Sequence, residues 1–186
     1  MSRQYFREQL AWSTNSATPV ANTATETIAY NNITIPANYL QDGRNFKLTV
    51  LGQYSTTATP TLIFTVRFGG AAGTVLCKTA ASTLPTITAG LWKTEVWCTT
   101  RSNGATGTLM ANGEATLYAG VAGTVASTTG VGASLITPMT SGGILTPATA
   151  TVDLTADTAL TITATWSAAS ASNTLTGLQY YLDSDN

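Results

Sequence analysis

The chain is predicted to be an all-β, jelly-roll-like antiparallel β-sandwich with an N-terminal extended arm. Three observations carry that reading. Apolar and polar residues alternate with a period of two in run after run, Gly and Pro stand between the runs, and no convincing long helix follows residue 25. Side chains of a strand point to opposite faces in turn, so each alternating run reads as a half-buried strand. The length, 186 residues, is that of one ordinary domain, and an apolar fraction of 44% is enough for a packed core.

Residues 1–25 differ from the rest. Arg3, Arg7 and Glu8 stand among Tyr5, Phe6, Leu10 and Trp12, and STNSATPVANTAT follows. The first part predicts a helix of about two turns with Phe6 and Leu10 on one side; the second has linker composition. Four large apolar side chains are many to leave in water. The segment is therefore either a docking arm or a frayed terminus.

Residues 26–186 form the single sandwich domain. In NFKLTVLGQY, Phe46, Leu48, Val50 and Tyr54 alternate with Lys47, Thr49 and Gln53. In TPTLIFTVRFGG, Leu62, Phe64, Val66 and Phe68 share a face. In LWKTEVWCTTR, Trp92, Val96 and Cys98 oppose Lys93, Glu95, Trp97 and Arg101. In TLMANGEATLY, Leu109, Ala111, Ala115 and Leu117 alternate with Asn112, Glu114 and Tyr118. In ALTITATW, Leu160, Ile162, Ala164 and Trp166 alternate with threonines. β-Branched Thr on the wet face favours strand without adding charge. Residues 27–35, 73–79, 149–154 and 174–182 are further candidates, about nine strands in all. Eight or more fit a jelly roll, although spacing alone does not separate it from an immunoglobulin-type sandwich. Between Trp166 and Thr174, the small residues of ATWSAASASNTLT read as a turn that another backbone can approach closely. Residues 119–148 (AGVAGTVASTTGVGASLITPMTSGGILTPA) are long for a structureless loop. They hold either a short hairpin, with Thr124–Val125 and Leu135–Ile136 as its apolar points, or an arm that orders against a neighbour.

Charge and chemistry narrow the function. Only 9% of residues are Asp, Glu, Lys or Arg, and the net charge is −1. A nucleic-acid binder needs a basic patch, so none is expected, and near-neutrality removes the repulsion that keeps copies apart. A Thr-rich, nearly uncharged surface suits a protein packed into an assembly. No run of about 18 apolar residues marks a membrane span, and MSRQYFREQLAW has no apolar signal core. Synthesis in a cytoplasm is expected, with Cys77 and Cys98 as thiols. The chain contains no histidine, which removes Ser-His-Asp and Cys-His machinery and His-containing zinc sites. It has no CxxC and no glycine-rich phosphate loop. A glycosidase needs two carboxylates about 5–10 Å apart; Glu95 and Glu114 are eligible, but a cross-strand cation such as Lys93 or Arg101 explains them more simply. Asp183 and Asp185 lack the further oxygen ligands of a calcium loop. No enzyme, cofactor or metal is expected. Trp97 points away from Trp92 and Cys98, and Trp and Arg are enriched at interface hot spots. A subunit contact, a crossing loop such as 119–148, or a stacked sugar would each account for it.

The stretches ITIPANYLQDGRNFKLTVLGQYSTTATPTLIFTVRFGG, GTVLCKTAA and LTITATWSAASASNTLTGLQ resemble the β-domain of tailed-bacteriophage virion proteins, both small head-decoration (cement) proteins and head- or tail-fibre-like proteins. The recurring elements are the IPA-x-x-L strand end, the G-R before the next strand, the G-x-Y-S-T-T turn, the T-P-T-L start and the TWS-A-A-S-x-S-N-T hairpin. The likeness covers roughly residues 26–182 and excludes 1–25 and 119–148. It implies a jelly-roll domain that assembles as a homotrimer on the virion and clamps adjoining capsomers of the major capsid protein. Tyr5, Phe6, Leu10 and Trp12 would then dock on the capsid, and Trp97 with Arg101 would lie at the subunit interface. The alternative it allows is a receptor- or glycan-binding module of a head or tail fibre.

Overall fold

A computed structural model describes residues 7–30, 33–118, 134–140 and 148–185. The described chain is all-β. Its strands are β1 (Arg7–Ser13), β2 (Val20–Ala21), β3 (Thr27–Ile28), β4 (Ile33–Ile35), β5 (Asn45–Thr56), β6 (Thr61–Phe68) and β7 (Thr74–Thr79). They continue with β8 (Ser82–Thr83), β9 (Ile87–Ser102), β10 (Gly107–Tyr118), β11 (Ser134–Thr140), β12 (Thr149–Val152), β13 (Thr158–Trp166) and β14 (Thr174–Asp185). All pairings are antiparallel, in the order β1-β14-β5-β9-β10-β11-β7-β6-β13-β3. The short strands β12, β2, β4 and β8 add to β10, β14, β13 and β6.

This continuous sheet folds over into two layers, giving a jelly-roll-like sandwich. One layer is β1, β14, β5, β9 and β10; the other is β7, β6 and β13 with its short neighbours. β11 joins them, pairing with β10 from Gly113↔Met139 to Tyr118↔Ser134 and with β7 at Met139↔Thr79 and Thr140↔Lys78. The alternating faces lie as expected. Phe46, Leu48, Val50 and Tyr54 of β5, Trp92, Val96 and Cys98 of β9, and Leu62, Phe64, Val66 and Phe68 of β6 are all buried. Across the interior the Phe64 and Trp92 rings lie 5.0 Å apart, within the usual spacing for packed aromatic pairs.

Several expectations are corrected. The first residues described are not helical: β1 pairs with β14 from Arg7↔Asp185 to Ser13↔Tyr180. An isolated two-turn helix pays the full nucleation cost, whereas the free edge of β14 offers a ready ladder. The stretch read as a linker is also part of the fold. Ala17 and Val20 are buried, and the Ala17 amide donates to the Gly177 carbonyl at 2.8 Å. Residues 27–35 are two short strands rather than one, because the chain bends at Ala29–Tyr30 and buries the Tyr30 ring. That ring packs edge-on against Tyr180, with centroids 5.1 Å apart. The turn after Trp166 is a crossover rather than a hairpin, since β13 pairs with β6 while β14 pairs with β5 in the other layer. Its small residues do admit another backbone: the Asn22 amide donates to the Ser170 carbonyl at 3.1 Å. In 119–148, the Leu135–Ile136 point lies on β11, while Thr124 and Val125 lie outside the described residues.

Two glycines make room for aromatic rings. Gly52 stands opposite Trp92 in the β5–β9 ladder; a Cβ there would overlap the Trp92 indole and the Thr176 carbonyl. Gly177 lies against Tyr30 in the same way. Among the described residues the Trp92 Nε1 has no hydrogen-bond partner, so close packing is what positions this indole there. Overpacking a tight interior costs about 1–3 kcal/mol. Gly52→Ala is expected to destabilise the fold by at least that much, read from the urea midpoint; an unchanged midpoint would remove the close-approach account.

Candidate functional site

The outward face of the layer β1, β14, β5, β9 and β10 gathers most of the residues singled out above. Opposed residues of an antiparallel ladder share a face. One row across it runs Trp12, Tyr181, Thr49, Glu95 and Glu114; the next runs Asp183, Lys47, Trp97 and Asn112. Trp97 points outward as expected and is 45% exposed. Lys47 Nζ lies 5.0 Å from its ring centroid, within cation–π range. Arg101 is exposed on the same strand, two outward positions further on and about 13 Å away at strand spacing.

Glu95 is the electrostatic centre of the face. Lys47 and Lys93 reach its two oxygens at 2.7 and 2.9 Å. The Lys47 hydrogen bond, aided by Lys93 and opposed by burial, holds the Glu95 carboxyl below the usual carboxylate range. Its bond to Glu95 in turn raises Lys93. Lys93 was expected as a partner of Glu95; Lys47 was not, and Arg101 takes no part. Glu95 and Glu114 are direct cross-strand partners, but a carboxylate shared by two lysines is held as a structural anion. Asp183 is bound by Arg7 at 2.5 Å. Among the described residues no group of three or more Cys, Asp and Glu is arranged to hold a metal ion.

Of the four proposed docking residues, Leu10 and Trp12 are described, and both lie on β1. Tyr5 and Phe6 lie outside the described residues. Leu10 sits at a bulge between Gln9 and Ala11 and packs partly buried against the core; a bulge shifts the facing of the chain by one residue. Trp12 is 61% exposed opposite Tyr181.

Sequence reasoning missed a second feature of this face. An apolar depression of about 440 Å³ is lined by Leu51, Leu91, Tyr118 and Leu178, with Lys93 and Gln179 beside them and Gly52 and Trp92 beneath. Leu91, Tyr118 and Leu178 are 56%, 40% and 37% exposed. A bulge between Gly177 and Gln179 inserts Leu178 as an extra residue, and plain alternation gives no sign of it.

The other layer holds a comparable ion pair with a structural role. Arg67 forks onto Glu26 at 2.7 and 2.8 Å, and the Thr163 hydroxyl also donates to Glu26. The Arg67 bond, opposed by burial, lowers the Glu26 carboxyl. In the core, Cys77 and Cys98 are free and buried; burial pushes the Cys77 thiol up to about 12 and raises Cys98 as well.

Two tests follow from these groups. A carboxyl lowered on folding contributes stability that is present above its unfolded value and lost as the pH falls through its folded value. Stability should therefore hold from neutrality towards the ordinary carboxylate value of 4.5 and fall below it. Glu95→Gln should flatten that acid limb in denaturant titrations. A thiol reagent at pH 8 should leave both cysteines unmodified until the chain unfolds, since the thiolate is the reactive form; rapid labelling of the folded protein would contradict their burial. Comparison with family models, with curated proteins and with solved structures finds no match.

Proposed function

We propose that the chain is a structural virion protein of a tailed bacteriophage. In this reading it decorates and stabilises the capsid as a homotrimer that clamps adjacent capsomers of the major capsid protein. The observation that carries the reading is the outward face of one layer. It exposes Trp12, Trp97, Leu91, Tyr118 and Leu178 while five of its charges are paired within the chain, at Arg7–Asp183 and Lys47–Glu95–Lys93. Apolar side chains clustered on one surface mark an interaction site. Ions already neutralised by one another lower the electrostatic cost of covering them. The resemblance over residues 26–182 supplies the virion context. Decoration that binds the assembled lattice but not free subunits stabilises the shell by mass action, and many copies multiply a modest contact.

A second reading, a glycan-binding module of a head or tail fibre, is favoured by one arrangement: exposed Trp97 beside Lys47 and Asn112, a ring with polar groups around it. The two readings separate experimentally. Particles lacking the protein should lose resistance to heat and osmotic shock while adsorbing normally; unchanged resistance with an adsorption defect would favour the glycan reading instead. Trp12→Ala should leave the melting temperature within a few degrees, since the side chain is largely in water, and should reduce occupancy on the head. Full occupancy would remove Trp12 from the docking surface.

A further inference from the structure

We propose that the turn between β9 and β10 carries a self-modifying asparagine: the Gly104 backbone nitrogen attacks the Asn103 side chain and converts it to aspartate and isoaspartate. The dipeptide Asn-Gly occurs twice, at Asn103–Gly104 and Asn112–Gly113, and Asp-Gly once, at Asp42–Gly43. Each sets a side-chain carbonyl carbon one five-membered ring away from the next backbone nitrogen, and glycine has no Cβ to obstruct the approach. Groups held this close within one chain react at a high effective concentration. What separates the three sites is the state of the glycine nitrogen. Gly43 donates its N–H to the Thr100 carbonyl at 2.9 Å. Gly113 lies within the sheet, opposite Val96 of β9 and Met139 of β11, so a ladder carbonyl takes its N–H on whichever side it faces. Gly104 stands outside the ladders, at a φ of +97° and with open space beside its α-carbon. Its carbonyl is anchored by the Gly107 and Leu154 amides, each at 3.1 Å, while its own N–H makes no hydrogen bond among the described residues. Asn103 and Asn112 are both exposed, so access to water does not choose between them.

In the reaction the Gly104 nitrogen adds to the Asn103 Cγ. The new N–Cγ bond forms, the Cγ–Nδ2 bond breaks, and Nδ2 leaves as ammonia with the proton given up by the Gly104 amide. Water then opens the cyclic imide at one of its two carbonyls, leaving aspartate or isoaspartate. No reactant other than water is required. The consequence is local. The Asn103 Nδ2 donates to Gln41 Oε1 at 2.7 Å, and the Asn103 backbone N–H donates to Asp42 Oδ1 at 2.7 Å. These two bonds tie the β9–β10 turn to the loop before β5. The reaction removes the first donor with the departing nitrogen and sets a new carboxylate beside that of Asp42. The backbone bonds Gly43 to Thr100 and Thr100 to Arg44 are untouched, so the sandwich stays closed while one loop contact is loosened and each chain gains one negative charge.

The test incubates the full folded chain in mildly alkaline buffer, follows acidic forms by isoelectric focusing and locates the change by fragment-ion mass spectrometry. Thermal melts confirm that each variant folds. An acidic form should accumulate with its change at Asn103, at least about tenfold faster than at Asn112, because an amide held in a ladder reacts only after local opening. In urea the two sites should react within about threefold of each other, since the ladder that separates them is gone. Asn103→Gln should abolish the acidic form, as the longer side chain would have to close a six-membered ring, whereas Asn112→Gln should leave it. An acidic form that persists in folded Asn103→Gln would overturn the proposal. So would conversion of Asn112 that keeps pace with Asn103 in the folded chain, a preference for Asn103 that survives unfolding undiminished, or a folded chain that stays unconverted while the unfolded one reacts to completion.

Discussion

The packing of Trp92 against Phe64 across the interior is the contact around which the rest is arranged. Their centroids are 5.0 Å apart, and the two rings come from layers that share no ladder at that point. A large indole on β9 needs space beside it, and Gly52 on β5 provides it. On the outward side of the same place, the β14 bulge displaces Leu178 and opens the apolar depression above Gly52 and Trp92. Core packing and exposed surface are thus two sides of one local arrangement. Among the described residues the indole Nε1 has no partner, so its position there depends on shape, and interiors packed this closely tolerate little change of volume.

Much of the fold was legible because burial in a two-layer sandwich acts on every second residue. β5, β6, β9, β10 and β13 each present a one-sided apolar pattern, and Trp97 could be placed outward from its neighbours Trp92, Val96 and Cys98 alone. What was not legible depends on pairing between distant residues. Nothing local in REQLAWS distinguishes a short amphipathic helix from an edge strand; the unpaired edge of β14, more than 160 residues away, decides it. The bulges at Leu10 and Leu178 are invisible for a related reason. Each adds one residue to a ladder, and the sequence carries no mark of where the count slips. Lys47 as a partner of Glu95 required knowing that β5 lies beside β9.

The scarcity of charge sharpens the electrostatic picture. With 17 formal charges in the chain, few are available as indifferent solvating groups, and most of those on the outward face are engaged with one another. An ion pair at a surface contributes little to stability. Its larger effect here is on what the surface can meet: a face whose carboxylates and ammonium groups are mutually satisfied has little long-range field, so contact is decided by shape and by the few groups left over. Glu95 is held in its charged form by the same two lysines.

The pairing of Arg7 with Asp185 has a mechanical consequence. Both ends of the described chain leave the sandwich at one corner, at the same end of the β1–β14 ladder. Antiparallel hydrogen bonds run perpendicular to their strands. Tension applied between the two ends would therefore open that ladder one bond at a time, like a zipper. A load spread over the broad face and directed along the strands would strain many ladder bonds at once. A body built this way withstands shear across its face far better than traction between Arg7 and Asp185.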